Sequence, residues 1–126
     1  MAGQPVSIEP WQKALLPQFL DMTVKRLFEI EAARRQLAQG GDVMTSVQII
    51  GSVTHKIAGT AESFGFPVLG QLARRAEGLC LDLARLPPVS RAELLQTRLL
   101  PTLDALAGAL DAALDGSAAS LAQGRP

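Results

Sequence analysis

The chain has 126 residues, 48% of them apolar, and its 12 acidic and 12 basic side chains cancel. That length supports one domain with a single core and is too short for two ordinary ones. A neutral chain without a clustered basic block is a poor fit to general nucleic-acid binding, and no stretch approaches the roughly 20 apolar residues of a membrane span.

Aromatic residues are scarce while leucine and alanine recur at helical spacing, so the expected class is all-α. Residues 1–8 lack the charged-then-apolar order of a secretory signal and read as a flexible N-terminus of a cytoplasmic protein. Pro10 and Pro17 each suit a first helical turn, which predicts a short helix near Glu9 to Leu16 leading into a longer one from Pro17 to Ala38. Gly40-Gly41 ends it, and Asp42 is placed to cap a helix that runs to Phe64 and stops at Gly65.

Pro67 opens the next helix, which carries Leu69, Leu72, Ala73, Ala76, Leu79, Cys80 and Leu83 on one face and ends before Pro87-Pro88. Ser90-Arg91-Ala92-Glu93 has the pattern of a capping box, so the last helix is expected from Arg91 to about Leu114, kinked by Pro101. Gly116 to Pro126 is small and polar and reads as a flexible tail. Short connections favour antiparallel neighbours, so residues 9–115 are expected to form an antiparallel up-down four-helix bundle with a short additional N-terminal helix as a lid. The pairs Arg34-Arg35 and Arg74-Arg75 read as solvated helix faces, and Cys80, the single cysteine, reads as a small core residue.

The one histidine, His55, stands out on the helical projection. Turning roughly 100° per residue, Val43, Val47, Val53, Thr54, Ile57, Ala61 and Phe64 fall within about 60° of Ile50, the width of a buried stripe. His55 lies about 140° from it, among Gln48, Ser52, Gly59, Glu62 and Ser63. The imidazole is therefore expected to face outward, with Gly59 opening space one turn away. One histidine and one core cysteine do not supply a metal site.

The run His55-Lys56-Ile57-Ala58-Gly59-Thr60-Ala61-Glu62-Ser63-Phe64-Gly65, followed by Leu69, Leu72, Ala76 and Glu77, resembles the signature of histidine-containing phosphotransfer (HPt) domains. That signature has a histidine, then an aliphatic residue two on, glycine four on, alanine six on, glycine ten on and leucine fourteen on, and it ends in an acidic or amide residue. The resemblance implies a four-helix bundle that carries a phosphoryl group on His55 and exchanges it with an aspartate of a response-regulator receiver domain. Receivers and hybrid sensor histidine kinases are the implied partners, with Mg2+ held by the receiver. It further implies that Gly59 admits the partner, that Glu77 orients the imidazole, that Lys56 and Ser63 support the site, and that Ser52, Glu62, Phe66 and Gly70 belong to the docking surface. Many relatives carry a lysine three residues after the histidine, where this chain has Ala58; Lys56 or an arginine of the Pro67 helix would have to replace it.

Two other readings stand beside the phosphoryl carrier. One is a non-catalytic adaptor that docks the same partners without transfer, which Ala58 favours and the His55-Gly59 pair opposes. The other is the dimerisation half of a sensor kinase, which usually follows its histidine with an acidic residue and a nearby proline; here Lys56 follows, and no proline comes before Pro67. The chain has no nucleotide-binding segment, so no autokinase activity is expected and any phosphotransfer is stoichiometric. The carrier is expected to be a monomer.

Overall fold

The structure is a computed structural model that describes residues 9–123, with the side chains of residues 9–116. Every regular element in it is helical: α1 (Pro10–Ala38), α2 (Val43–Ser63), α3 (Pro67–Arg85), α4 (Pro88–Leu94), a π-helical segment (Leu95–Leu99) and α5 (Leu100–Gln123). The segment 1–8, expected to be flexible, lies outside the described residues. None of the described helices is long and apolar enough to cross a membrane.

The expected lid helix does not exist as a separate element, because α1 runs unbroken through Pro17. Proline removes one backbone hydrogen bond, but Pro17 and Lys13, the residue four before it, both lie on the exposed face, where water meets the carbonyl left without a partner. Tertiary contacts hold the first turns in line. The Glu9 N–H donates to Gln12 Oε1 at 2.6 Å, and Gln12 Nε2 donates to the Ser63 carbonyl at the far end of α2. Trp11 sets its ring edge against Phe64 at 6.4 Å, and Phe19 stacks on Phe64 and Phe66 at 4.7 and 5.5 Å.

Local chemistry fixes the ends of α2. Asp42 accepts from the Thr45 N–H at 2.9 Å and from its hydroxyl at 2.7 Å, and these bonds, the hydroxyl's above all, hold its carboxyl below the ordinary range. At the other end Gly65 adopts φ 78°, a left-handed conformation that glycine enters without steric cost. Pro67 then starts α3.

The C-terminal helix departs from expectation at both of its ends. Ser90 does not cap it, since Pro88 with its preset φ already occupies the first turn and the Ser90 N–H bonds the Pro87 carbonyl at 2.9 Å. Pro101 is accommodated by the π-helical turn over Leu95–Leu99 just before it, a widened turn that absorbs a break in the hydrogen-bond ladder. The helix also continues past Leu114 to Gln123: Gly116 costs only about 1 kcal/mol in a helix, and the alanine-rich sequence after it propagates well. Residues 124–126 of the expected tail lie outside the described residues.

The core gathers Ile30 of α1, Val47, Ile50 and Ile57 of α2, Leu83 of α3, and Leu99, Leu103, Leu106 and Leu110 of the C-terminal helix, all at most 2% exposed. Buried Thr23 and Thr54 satisfy their hydroxyls on the Phe19 and Ile50 carbonyls at 2.8 Å, so they enter this core without an unpaired polar atom. Leu106→Ala, which empties a fully packed position on α5, is expected to lower the unfolding free energy by about 2–5 kcal/mol, read as a drop in the urea midpoint at constant slope.

Candidate functional site

Helices α2 and α3 form an antiparallel hairpin whose rungs pair Gly51 with Cys80, His55 with Glu77, and Glu62 with Arg74. The two backbones approach closely at Gly70, where an added Cβ would lie 3.1 Å from Glu62 Cγ and 3.7 Å from the Ala58 carbonyl oxygen. Ile50, Val53, Thr54, Ile57 and Ala61 are buried on the inner side of α2. Their burial fixes the rotation of the helix, and His55 on the opposite side keeps 73% of its side chain exposed.

The imidazole is held at one nitrogen only. Nδ1 lies 2.7 Å from Glu77 Oε2, across the hairpin and 22 residues along the chain. An ionised carboxylate can only accept, so a proton belongs on Nδ1, and in the neutral ring Nε2 then carries the lone pair. Glu77 is three-quarters covered, with 28% of its side chain exposed, which holds its carboxylate more firmly than the ring it orients. The arrangement holds the ring at Nδ1 and leaves most of the side chain to solvent, so that a neutral imidazole in this setting would offer Nε2 as its lone-pair nitrogen.

The remaining sequence-derived residues divide. Gly59 is open, with nothing within 4 Å of where a Cβ would be, and Ser52 is exposed beside His55. Lys56 is exposed but flanks α2 on its α1 side, in a depression shared with Glu29, Ile49 and Val53, while its carbonyl lies 3.4 Å from an Arg26 Nη1 donor. Ser63 does not reach the imidazole: its hydroxyl folds back onto the Gly59 carbonyl at 3.3 Å, a common fate of serine within a helix.

Gly70 is buried at the helix crossing, and Phe66 is half-buried and stacks on Phe19. Glu62 is half exposed but already engaged, accepting from Arg74 Nε at 2.5 Å and Nη2 at 2.8 Å. Hydrogen bonding from Arg74 lowers the Glu62 pKa, and the same contact raises that of Arg74. Neither Arg74 nor Arg34 is merely solvated, since Arg34 pairs with Asp104 at 2.8 Å.

Sequence reasoning missed the groove that leads away from His55. Between α2 and α3 it encloses about 450 Å³, with Met44, Val47 and Gln48 on one wall and Cys80, Leu81 and Ala84 on the other, and it ends at the His55–Glu77 pair. Leu81 is 57% exposed, an apolar side chain one turn beyond Glu77 on the outer face of α3. Burial pushes the Cys80 thiol up to about 12 from an ordinary 9.0.

The family model described as the Hpt domain matches residues 14–119. No curated protein and no solved structure matches the chain.

Two measurements check this geometry. Glu77→Ala is expected to release the Nδ1–H tautomer of His55, so that its two ¹⁵N ring shifts move toward those of a free imidazole, whereas the unsubstituted chain keeps them apart. Cys80, protonated at any pH well below about 12 in the folded chain, is expected to resist alkylation near neutral pH and to react only once the chain is unfolded in concentrated guanidinium.

Proposed function

The chain belongs to the Hpt domain family, and we propose that it acts as a phosphoryl carrier whose accepting atom is His55 Nε2. Family membership brings histidine phosphotransfer in phosphorelay signalling, with response regulators and histidine kinases as partners. The observation that carries the assignment of the atom is the His55–Glu77 contact on an otherwise exposed ring.

In the forward step the Nε2 lone pair attacks the phosphorus of a receiver's aspartyl phosphate. An N–P bond forms, the P–O bond breaks, and the aspartate leaves as a carboxylate with the electron pair. The ring gains positive charge, shared with the Nδ1–H, and the Glu77 carboxylate beside it offsets that charge without moving the proton. The protonated ring remains a good leaving group, so the step runs in reverse toward another aspartate. Positioning and charge compensation suffice, because phosphoryl transfer asks little covalent chemistry of the protein.

Among the described residues no three His, Cys, Asp or Glu side chains gather where they could hold a metal, and we assign the Mg2+ that neutralises the aspartyl phosphate to the partner receiver. The apolar groove beside His55 offers the receiver a docking surface, with exposed Leu81 and Ser52 at its rim. We place the carrier in the cytoplasm as a monomer.

Incubation with a phosphorylated receiver is expected to give the chain an acid-labile, base-stable phosphate. His55→Gln should abolish it while circular dichroism stays unchanged. A chain that binds the receiver yet takes no label would be the adaptor, and undiminished labelling of His55→Gln would remove His55 as the acceptor. Leu81→Glu is expected to weaken receiver binding about tenfold or more by placing a charge in the groove.

A further inference from the structure

On its own helix the phosphoryl group that His55 would carry has one cation nearby, Lys56, offset from the ring toward α1. Position 58 holds Ala58, which is 2% exposed and faces α3 at the Gly70 crossing, so it supplies no cation. Lys56 stands on the α1 flank, in the depression that Glu29 also lines. A phosphoryl group brings a charge of about −1.5 to −2 and three acceptor oxygens.

Arg74 is the cation placed to meet them. It sits one turn before Glu77 on α3, and residues so spaced stand about 5–6 Å apart at Cβ. Its guanidinium crosses to α2 and grips Glu62, which lies two turns beyond His55 on the same exposed face. Between His55 and Glu62 is Gly59, with open space where a side chain would stand. The guanidinium therefore stands beyond Gly59 from the imidazole, with no side chain at Gly59 between them. Both members of the pair are about half exposed, 57% and 48%, so water screens the contact and it is readily exchanged.

We propose that Arg74 is the counter-ion of the phosphorylated state: when His55 is loaded, the guanidinium leaves Glu62 and swings back past Gly59 to the phosphoryl oxygens. Glu62 is then its resting partner, and loading frees a carboxylate on the surface next to the site. The loaded and empty carriers thus present different charges to whatever docks there. The proposal rests on the carrier reading above.

Phosphoramidate tests it without a protein donor. The Nε2 lone pair attacks phosphorus, the donor's P–N bond breaks, and its ammonium nitrogen leaves as ammonia, so no further reactant is needed. ³¹P NMR of the full chain reads the loading rate. Arg74→Gln is expected to load about tenfold more slowly, Arg74→Lys to recover part of that loss, and Glu62→Gln to load about two- to fivefold faster because Arg74 is released. In the unsubstituted chain the Arg74 Nε–H resonance should shift on loading. A pair that served only to fasten α2 to α3 would give Arg74→Gln and Glu62→Gln the same direction of effect, and that result, or wild-type loading of Arg74→Gln, overturns the role of Arg74 while leaving the carrier reading intact. A wild-type chain that takes no label on His55 overturns both.

Discussion

The burial of one face of α2 is the constraint on which the site depends. Val47, Ile50, Val53, Thr54, Ile57 and Ala61 are each at most 3% exposed, and together they leave the helix a single rotational setting. In a helix of 3.6 residues per turn, fixing that stripe also fixes which residues stand opposite it. His55 is one of them, so its exposure follows from hydrophobic burial elsewhere on the same helix. Thr54 shows how tightly the arrangement is drawn: it adjoins His55 in sequence, is completely buried, and folds its hydroxyl back on the Ile50 carbonyl.

The α3 side of the hairpin supplies what α2 cannot supply alone. Three and four residues either side of His55 stand Gly51, Ser52, Ala58 and Gly59, so the carboxylate that orients the ring comes from the neighbouring helix. Glu77 provides it because small residues, Gly51 against Cys80 and Gly70 against Ala58 and Ala61, bring the two helices close together. One nitrogen is fixed by a partly covered carboxylate and the other is left to solvent, which joins orientation to access.

Where a structural feature is decided by adjacent residues, the sequence made it legible. Asp42 as a cap, Gly65 as a helix stop and Pro67 as a start follow from the backbone chemistry of those residues. The helical class and the outward setting of His55 came from periodicity, and the family from the spacing of His55, Gly59 and Glu77. Features decided by distant residues were not legible. Pro17 reads as a helix start until Trp11 and Gln12 are seen anchored to the end of α2. Ser90 resembles a cap, but Pro88 begins the helix two residues earlier. Phe66 and Gly70 lie beside the signature residues yet serve the aromatic stack and the helix crossing. The Glu62–Arg74 pair and the groove at Leu81 depend on the register between two helices, and no local pattern encodes that register.

The connection between α2 and α3 spans only residues 64–66, and the two ends of the His55–Glu77 contact are 22 residues apart. Closing so small a loop sacrifices little chain entropy, and contacts of low sequence separation form early. The His55–Glu77 pair is therefore built within one hairpin, of which α5 is not a part. The C-terminal helix closes the core beneath that hairpin through Leu103, Leu106 and Leu110, and so supports the pair without touching it.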